Sequence, residues 1–327
     1  MLSLTCAISE YDHVRDLASG RVRAEGIELS ILIMPVEEVF FRALRFHEFD
    51  VCEMSMGRYA SLVSRGDCPF VAIPVFPSRM FRHSSLYVRR GGTVREPGDL
   101  KGKRIGIPEW AQTAGIYTRG MLADQFDVAF KEVEWVQAGI NEAGREEEVE
   151  VHPPAGVTLT RVVGRTLNDM LLSGEIDAVL SAHPPRCFES GDQRVRRLFE
   201  DFMSVEQRYW QDTGVFPIMH TILLNRRLYE QYRWIAMNLL AAFTTAKERS
   251  IARARDATAA RYPVPWLFEY ARRAVETFGE DYWPYGIEAN RTTLLTFLKY
   301  AYQQGITKGQ LAPDDLFAPE VRARFKV

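Results

Sequence analysis

Cysteine is scarce in this sequence, and the four present (Cys6, Cys52, Cys68 and Cys187) are scattered without a CxxC pair. Such spacing excludes a zinc ribbon or a dithiol redox site and is expected of reduced thiols in a cytoplasmic protein. No run of about eighteen apolar residues occurs, the length that a bilayer span requires, so no membrane partner is expected. The opening stretch MLSLTCAISEYDHV lacks the basic segment, apolar run and small-residue cleavage site of a secretory signal. Charge of one sign is also missing. The 41 Lys and Arg residues nearly balance 43 Asp and Glu, and a net charge of −2 draws the chain to neither nucleic acid nor an anionic surface. No HxH or HExxH spacing supports a metal, no GxGxxG or GxxxxGK[ST] supports a nucleotide cofactor, and no GxSxG supports a serine hydrolase. The expected partner is a small molecule, handled without metal or organic cofactor.

What is present is an ordinary globular composition, 46% apolar and 26% charged over 327 residues, enough for two cores. Short apolar runs (LTCAIS, DVCEMSM, FVAIPV, SSLYVR, RIGIP, VEWVQ) alternate with helical patterns such as PVEEVFFRALRFHEF and QTAGIYTRGMLADQF. That alternation predicts an α/β fold with largely parallel sheets. The polar turn RRGGTVREPGDLKGK and the run VFPIMHTILLN read as two crossings between lobes. Residues 1–90 and 216–327 would form one lobe and 91–215 the other, with a mostly helical tail from Arg226. Residues 139–165 read as a long loop, and Glu146 to Glu148 within it as a solvated run.

In open α/β sheets, ligands sit beyond the carboxyl ends of strands, so the residues following each strand are the informative ones. Glu10, Tyr11, Asp12 and His13 follow the first strand, and Glu53, Ser55 and Met56 end the second. Arg79, Arg82, His83 and Ser84 lie between the next two. Glu109, Trp110, Gln112 and Thr113 follow RIGIP, His183 and Arg186 follow DAVLSA, and His220 sits in the return crossing. Nearly every strand end carries a polar or cationic group.

The stretches EYDHVRDLASGRVRAEGI, FDVCEMSMGRYA, PFVAIPVFPSRMFRHSSLYV, DLKGKRIGIPEWAQTAGIYTRGMLADQF, TGVFPIMHT and DYWPYGIEANRTTLLTFLKYAYQQG resemble the 4,5-dihydroxyphthalate decarboxylase family. DLKGKRIGIP is unspecific, whereas FPSRMFRHSS together with WPYGIEANR is much more specific. The resemblance implies the two-lobed fold of type II periplasmic binding proteins, with a ligand cleft between lobes. It also implies non-oxidative loss of one carboxylate from a dihydroxylated phthalate, giving 3,4-dihydroxybenzoate.

Such chemistry asks for a proton donor over the ring, a cationic clamp for the carboxylate that stays, and hydrogen bonds to the catechol oxygens. Arg79 and Arg82 are the expected clamp, because a guanidinium fork meets a carboxylate through two parallel donors, and Arg186 is the candidate from the opposite lobe. His83 is the first choice for proton donor and His220 the second, with Glu53 placed to orient either. Thr113 is expected to cap the helix that it opens, whose free N–H groups, with Gln112, form an anion site. Ser55 and Ser84 are expected to bind substrate, and Trp110 to stack on its ring. The alternative is a binding protein that captures an anionic aromatic without turnover, since fold does not decide function. The long helical tail offers surface for a homo-oligomer.

Overall fold

The computed structural model describes residues 1–322 and contains eleven strands in two sheets. They are β1 (Leu2–Ile8), β2 (Ile27–Ile33), β3 (Val51–Ser55), β4 (Phe70–Ile73), β5 (Leu86–Arg89), β6 (Arg104–Ile107), β7 (Glu134–Gly139), β8 (Thr158–Thr166), β9 (Ala178–Leu180), β10 (Val195–Arg197) and β11 (His220–Asn225). The first sheet has the order β2-β1-β3-β11-β4 and the second β10-β5-β9-β6-β7-β8.

Each sheet is mixed rather than largely parallel. The βαβ units pair in parallel, as β2 with β1 and β6 with β7, but β11 runs antiparallel to β3 and β4, and β5 antiparallel to β9 and β10. Both β5 and β11 are strands that the chain enters on crossing from the other sheet, which reverses their direction. Because β5 lies in the second sheet, the first crossing falls within residues 74–85, upstream of the expected boundary near 90. The stretch read as a loop contains β8, an edge strand rich in Thr and Val whose side chains are mostly exposed.

Local chemistry explains the helices that frame the strands. The helix Val36–Phe46 buries Val39, Phe40 and Ala43 on one face and places Glu37 and Glu38 in its first turn, where the helix dipole favours them. The helix Leu167–Ser173 is capped by the Thr166 hydroxyl and stopped by Gly174 at φ 82°. Two tail helices pack one on each lobe. Ile235–Arg255 docks on the first helix, Asp12–Ala18, through Arg253, which bonds both Asp12 and buried Asp16. Arg291–Gln303 lies against Thr113–Phe126 in the second lobe, with the Tyr300 ring seated on Gly120 so closely that a Cβ there would approach it to 2.3 Å. No helix of the described residues is long and apolar enough to cross a membrane.

Candidate active site

A cavity of about 250 Å³ opens where the carboxyl ends of the parallel strands of the two sheets face each other. The first lobe contributes Tyr11 after β1, Glu37 and Phe40 from the helix Val36–Phe46, Ser55 at the end of β3, and His220 at the start of β11. The second contributes Gln112, Thr113 and Ala114 after β6, Arg145, and His183 after β9; Ser78, Met80 and Arg82 come from the crossing segment. Its size suits a single-ring molecule, being below the roughly 300–1,000 Å³ of drug-sized sites. A hollow of about 310 Å³ around Tyr59, Arg226 and Tyr229 has no imidazole in its walls.

Strand register assembles the centre of this cavity. His220 of β11 stands directly opposite Ser55 of β3, and Glu53, two residues earlier, projects from the same face. The His220 Nδ1 lies 2.6 Å from Glu53 Oε1. Glu53 is fully buried and also accepts from the Tyr11 hydroxyl at 2.7 Å and the Ser9 N–H at 3.0 Å. Three donors on one buried carboxylate fix it in place, and through it the imidazole ring. Burial, and then the neighbouring Glu53, push the Tyr11 phenol far up, so it remains a donor. With Nδ1 committed to Glu53, the imidazole Nε2 is the nitrogen left for a ligand. The edge of the ring meets Phe40 at 5.1 Å between centroids.

Arg82 supplies the charge. It is 8% exposed, its Nε meets only the Met219 sulfur at 3.2 Å, and it has no ion pair among the described residues. Burial lowers its pKa to about 10. A buried cation without an acidic partner on a cavity wall is a site made for an anion. The helix Thr113–Phe126 points its N-terminus at the same cavity. Its cap position is Gln112 rather than Thr113, and no side chain closes the cap. Thr113 instead accepts the Gly57 N–H at 2.9 Å and bonds the Ser55 hydroxyl at 2.8 Å, which joins the lobes at the cavity floor. The Gln112 side-chain oxygen is buried without a partner.

Five expected site residues stand elsewhere. His83 is wholly buried, bonds Gln125 through Nε2 at 3.1 Å, and packs against Phe199 and Tyr209. Burial drives its pKa down to about 4, so it is a neutral core histidine rather than a proton donor in the cavity. Arg79 turns the other way, donating to the Phe216 and Pro284 carbonyls and to Asn290 between the Phe76 and Phe216 rings. It fastens the tail, and the cavity does not include it. Ser84 spends its N–H on Glu206 at 3.2 Å and lies off the cavity wall. Trp110 is buried on Arg119 and donates to the Gln304 carbonyl, so no face is free to stack on a ligand. Arg186 opens a short helix outside the cavity, with its N–H on Asn141.

Other cavity residues escaped the sequence reading. Arg58 is buried, bonds Glu109 through Nη2 at 2.8 Å, and lies within ion-pair distance of Glu148 through Nη1, at 2.8 Å, without a hydrogen bond there. Arg145 also holds Glu109, at 2.6 Å. The Glu run is therefore not simply solvated: Glu147 accepts the Trp110 and Ala111 N–H groups at 2.7 Å each, and burial, then Glu109, raise it to about 7. At the cavity mouth His183 bonds Glu37 at 2.8 Å, which lowers the carboxyl to about 2 and raises the imidazole.

Comparison with known proteins places this cleft in a family. A 4,5-dihydroxyphthalate decarboxylase of Comamonas testosteroni is 36% identical over 327 residues, covering 100% of this chain and 99% of that protein. The chain belongs to the 4,5-dihydroxyphthalate decarboxylase family. With it, the chain is a carboxy-lyase. A second 4,5-dihydroxyphthalate decarboxylase, from Pseudomonas putida, is 39% identical over 201 residues, 61% of this chain and 78% of its own. No family model matches. Among solved structures, the periplasmic aliphatic sulphonate binding protein SsuA from Escherichia coli superposes with a TM-score of 0.55 at 14% identity, covering 98% of this chain and 99% of its own. The desulfurization enzyme DSZB gives 0.54 at 16%, covering 98% of each. The chain thus has the two-lobed fold of periplasmic binding proteins, a scaffold that a sulphonate receptor and a desulfurization enzyme both use.

Proposed function

We propose that this decarboxylase acts on 4,5-dihydroxyphthalate, the substrate in its relatives' names, removing one carboxylate to release 3,4-dihydroxybenzoate and carbon dioxide. The observation that carries the reading is His220, held by buried Glu53, in a cavity that also presents the unpaired cation Arg82. Arg82 and the open N-terminus of Thr113–Phe126 hold the carboxylate that stays on the ring. Tyr11 and Ser78 face the same space and suit the catechol hydroxyls.

The chemistry is a protonation followed by a bond cleavage. Protonated His220 delivers its Nε2 proton to the ring carbon that bears the departing carboxylate, and the hydroxyl oxygen para to that carbon absorbs the positive charge. The carbon–carbon bond then breaks, its electron pair restores the aromatic ring, and neutral carbon dioxide leaves. The transferred hydrogen remains on the ring, and His220 recovers a proton from solvent. Glu53 stabilises the imidazolium before transfer and keeps the ring oriented after it. The role expected of His83 thus passes to His220.

The test is to incubate the purified protein with 4,5-dihydroxyphthalate in deuterated water and follow both products. One equivalent each of carbon dioxide and of 3,4-dihydroxybenzoate, with one deuterium at the vacated carbon, is the expected result. Tight binding without product would return the chain to the role of a binding protein.

A further inference from the structure

An ortho-dicarboxylated ring brings two negative charges into the cavity, and Arg82 answers one of them. Arg58 is not available for the second. It is 5% exposed on its side chain, its Nη2 bonds both oxygens of Glu109, and its Nη1, which makes no hydrogen bond, stays ion-paired with Glu148 at 2.8 Å. Arg145 is placed differently. Its side chain is 32% exposed on the cavity wall, and its Nε and Nη2 both aim at a single oxygen, Glu109 Oε1. No other acceptor holds it among the described residues. Glu109 meanwhile keeps two bonds from Arg58, at 2.8 and 3.1 Å. Arg145 can therefore leave without stranding Glu109 as a lone buried charge, the outcome that makes breaking most buried pairs costly. The segment that carries Arg145 is fastened two residues later, where Glu147 takes the Trp110 and Ala111 N–H groups and the Gln137 amide.

Building on the decarboxylation reading above, we propose that Arg145 is a specificity-determining residue that exchanges Glu109 for the second, departing carboxylate and so selects ortho-dicarboxylates over monocarboxylates. A permanent cation on the departing group would oppose its loss, because carbon dioxide leaves without charge. Here the resident carboxylate resolves the conflict. As the negative charge on the departing group disappears into the ring, Glu109 recaptures Arg145, and the guanidinium is compensated throughout. The exchange also favours product release, since 3,4-dihydroxybenzoate retains only the carboxylate on Arg82.

The experiment reads binding rather than turnover. Phthalate and benzoate, which share a ring and differ by one carboxylate, are titrated calorimetrically into the wild type, Arg145→Gln and Arg145→Lys. The wild type should prefer phthalate by roughly 10- to 100-fold, the worth of one charged hydrogen-bonded contact. Arg145→Gln should erase that preference while leaving benzoate within about twofold of wild type, and Arg145→Lys should restore part of it. Turnover of 4,5-dihydroxyphthalate by Arg145→Gln should show a KM raised by a similar factor, partly restored in Arg145→Lys. Equal losses for both ligands, or a preference that survives Arg145→Gln, would overturn the proposal. An intact preference in a protein that forms no product would sink the decarboxylation reading alone.

Discussion

Replacing Arg82 with methionine should stabilise the free protein and cripple ligand capture. Burial lowers the guanidinium from its ordinary 12.5 to about 10. At 1.36 kcal/mol per pH unit, the charged form costs the fold about 3 kcal/mol. Only the weakly accepting Met219 sulfur bonds its Nε, and Tyr87 and Glu206 oppose the burial from beyond ion-pair distance without offsetting it. Methionine keeps most of the buried stem and removes the charge, and such swaps stabilise by about 1–4 kcal/mol. Urea denaturation at pH 7 without ligand should therefore give Arg82→Met the higher midpoint. At a phthalate concentration of about 100 Kd the wild type gains roughly 2.7 kcal/mol from binding, whereas the variant gains little. The order of stabilities should then narrow or invert. A variant less stable than wild type in the absence of ligand, with wild-type affinity for phthalate, would show that Arg82 is a structural residue and refute its role as the anion partner.

Three further outcomes follow from the same geometry. His83 has a folded pKa depressed from 6.5 to about 4, so its contribution to stability is complete above pH 6.5 and is lost as pH falls toward 4. Denaturation midpoints followed over that window should drop for the wild type by the equivalent of about 3 kcal/mol from this group, and His83→Gln should lack that component. Gly57→Ala would bring a Cβ to 2.3 Å from the Ala111 carbonyl and 2.9 Å from Ile116. The helix Met56–Val63 would be pushed off the second lobe, so we expect a loss of about 1–3 kcal/mol in denaturant titrations, together with a raised KM. Dialysis against a chelator should leave turnover unchanged, measured as 3,4-dihydroxybenzoate formed per minute, because the proposed steps use only side chains of this chain and a proton recovered from solvent.

Strand ends carried most of what the sequence disclosed. Ser55, Gln112, Thr113 and His220 line the cavity because β3, β6 and β11 begin or end there, and short apolar runs mark those ends. The neighbours Arg82 and His83 show where local reading stops. Arg82 faces the cavity, but a 3-10 turn begins at His83 and sends its ring inward to Gln125, Phe199 and Tyr209. Arg79 is diverted by Asn290, a partner more than two hundred residues away that no spacing rule foresees. Arg145 was missed for the opposite reason. It lies beside a glutamate run that looks solvated, and only the fold brings Glu109 to it and Arg58 to Glu109 and Glu148. The strand β8 was hidden by the Gly, Pro and Glu residues ahead of it, and its mostly exposed pattern gives no apolar run to recognise.

The central claim, that His220 rather than His83 protonates the ring, is tested most directly by comparing His220→Gln and His83→Gln in single-turnover decarboxylation of 4,5-dihydroxyphthalate. The account predicts that His220→Gln slows the chemical step by roughly two or more orders of magnitude, while His83→Gln stays within a few-fold of wild type. A His220→Gln enzyme that keeps its rate, or a His83→Gln enzyme that loses it, would contradict the account.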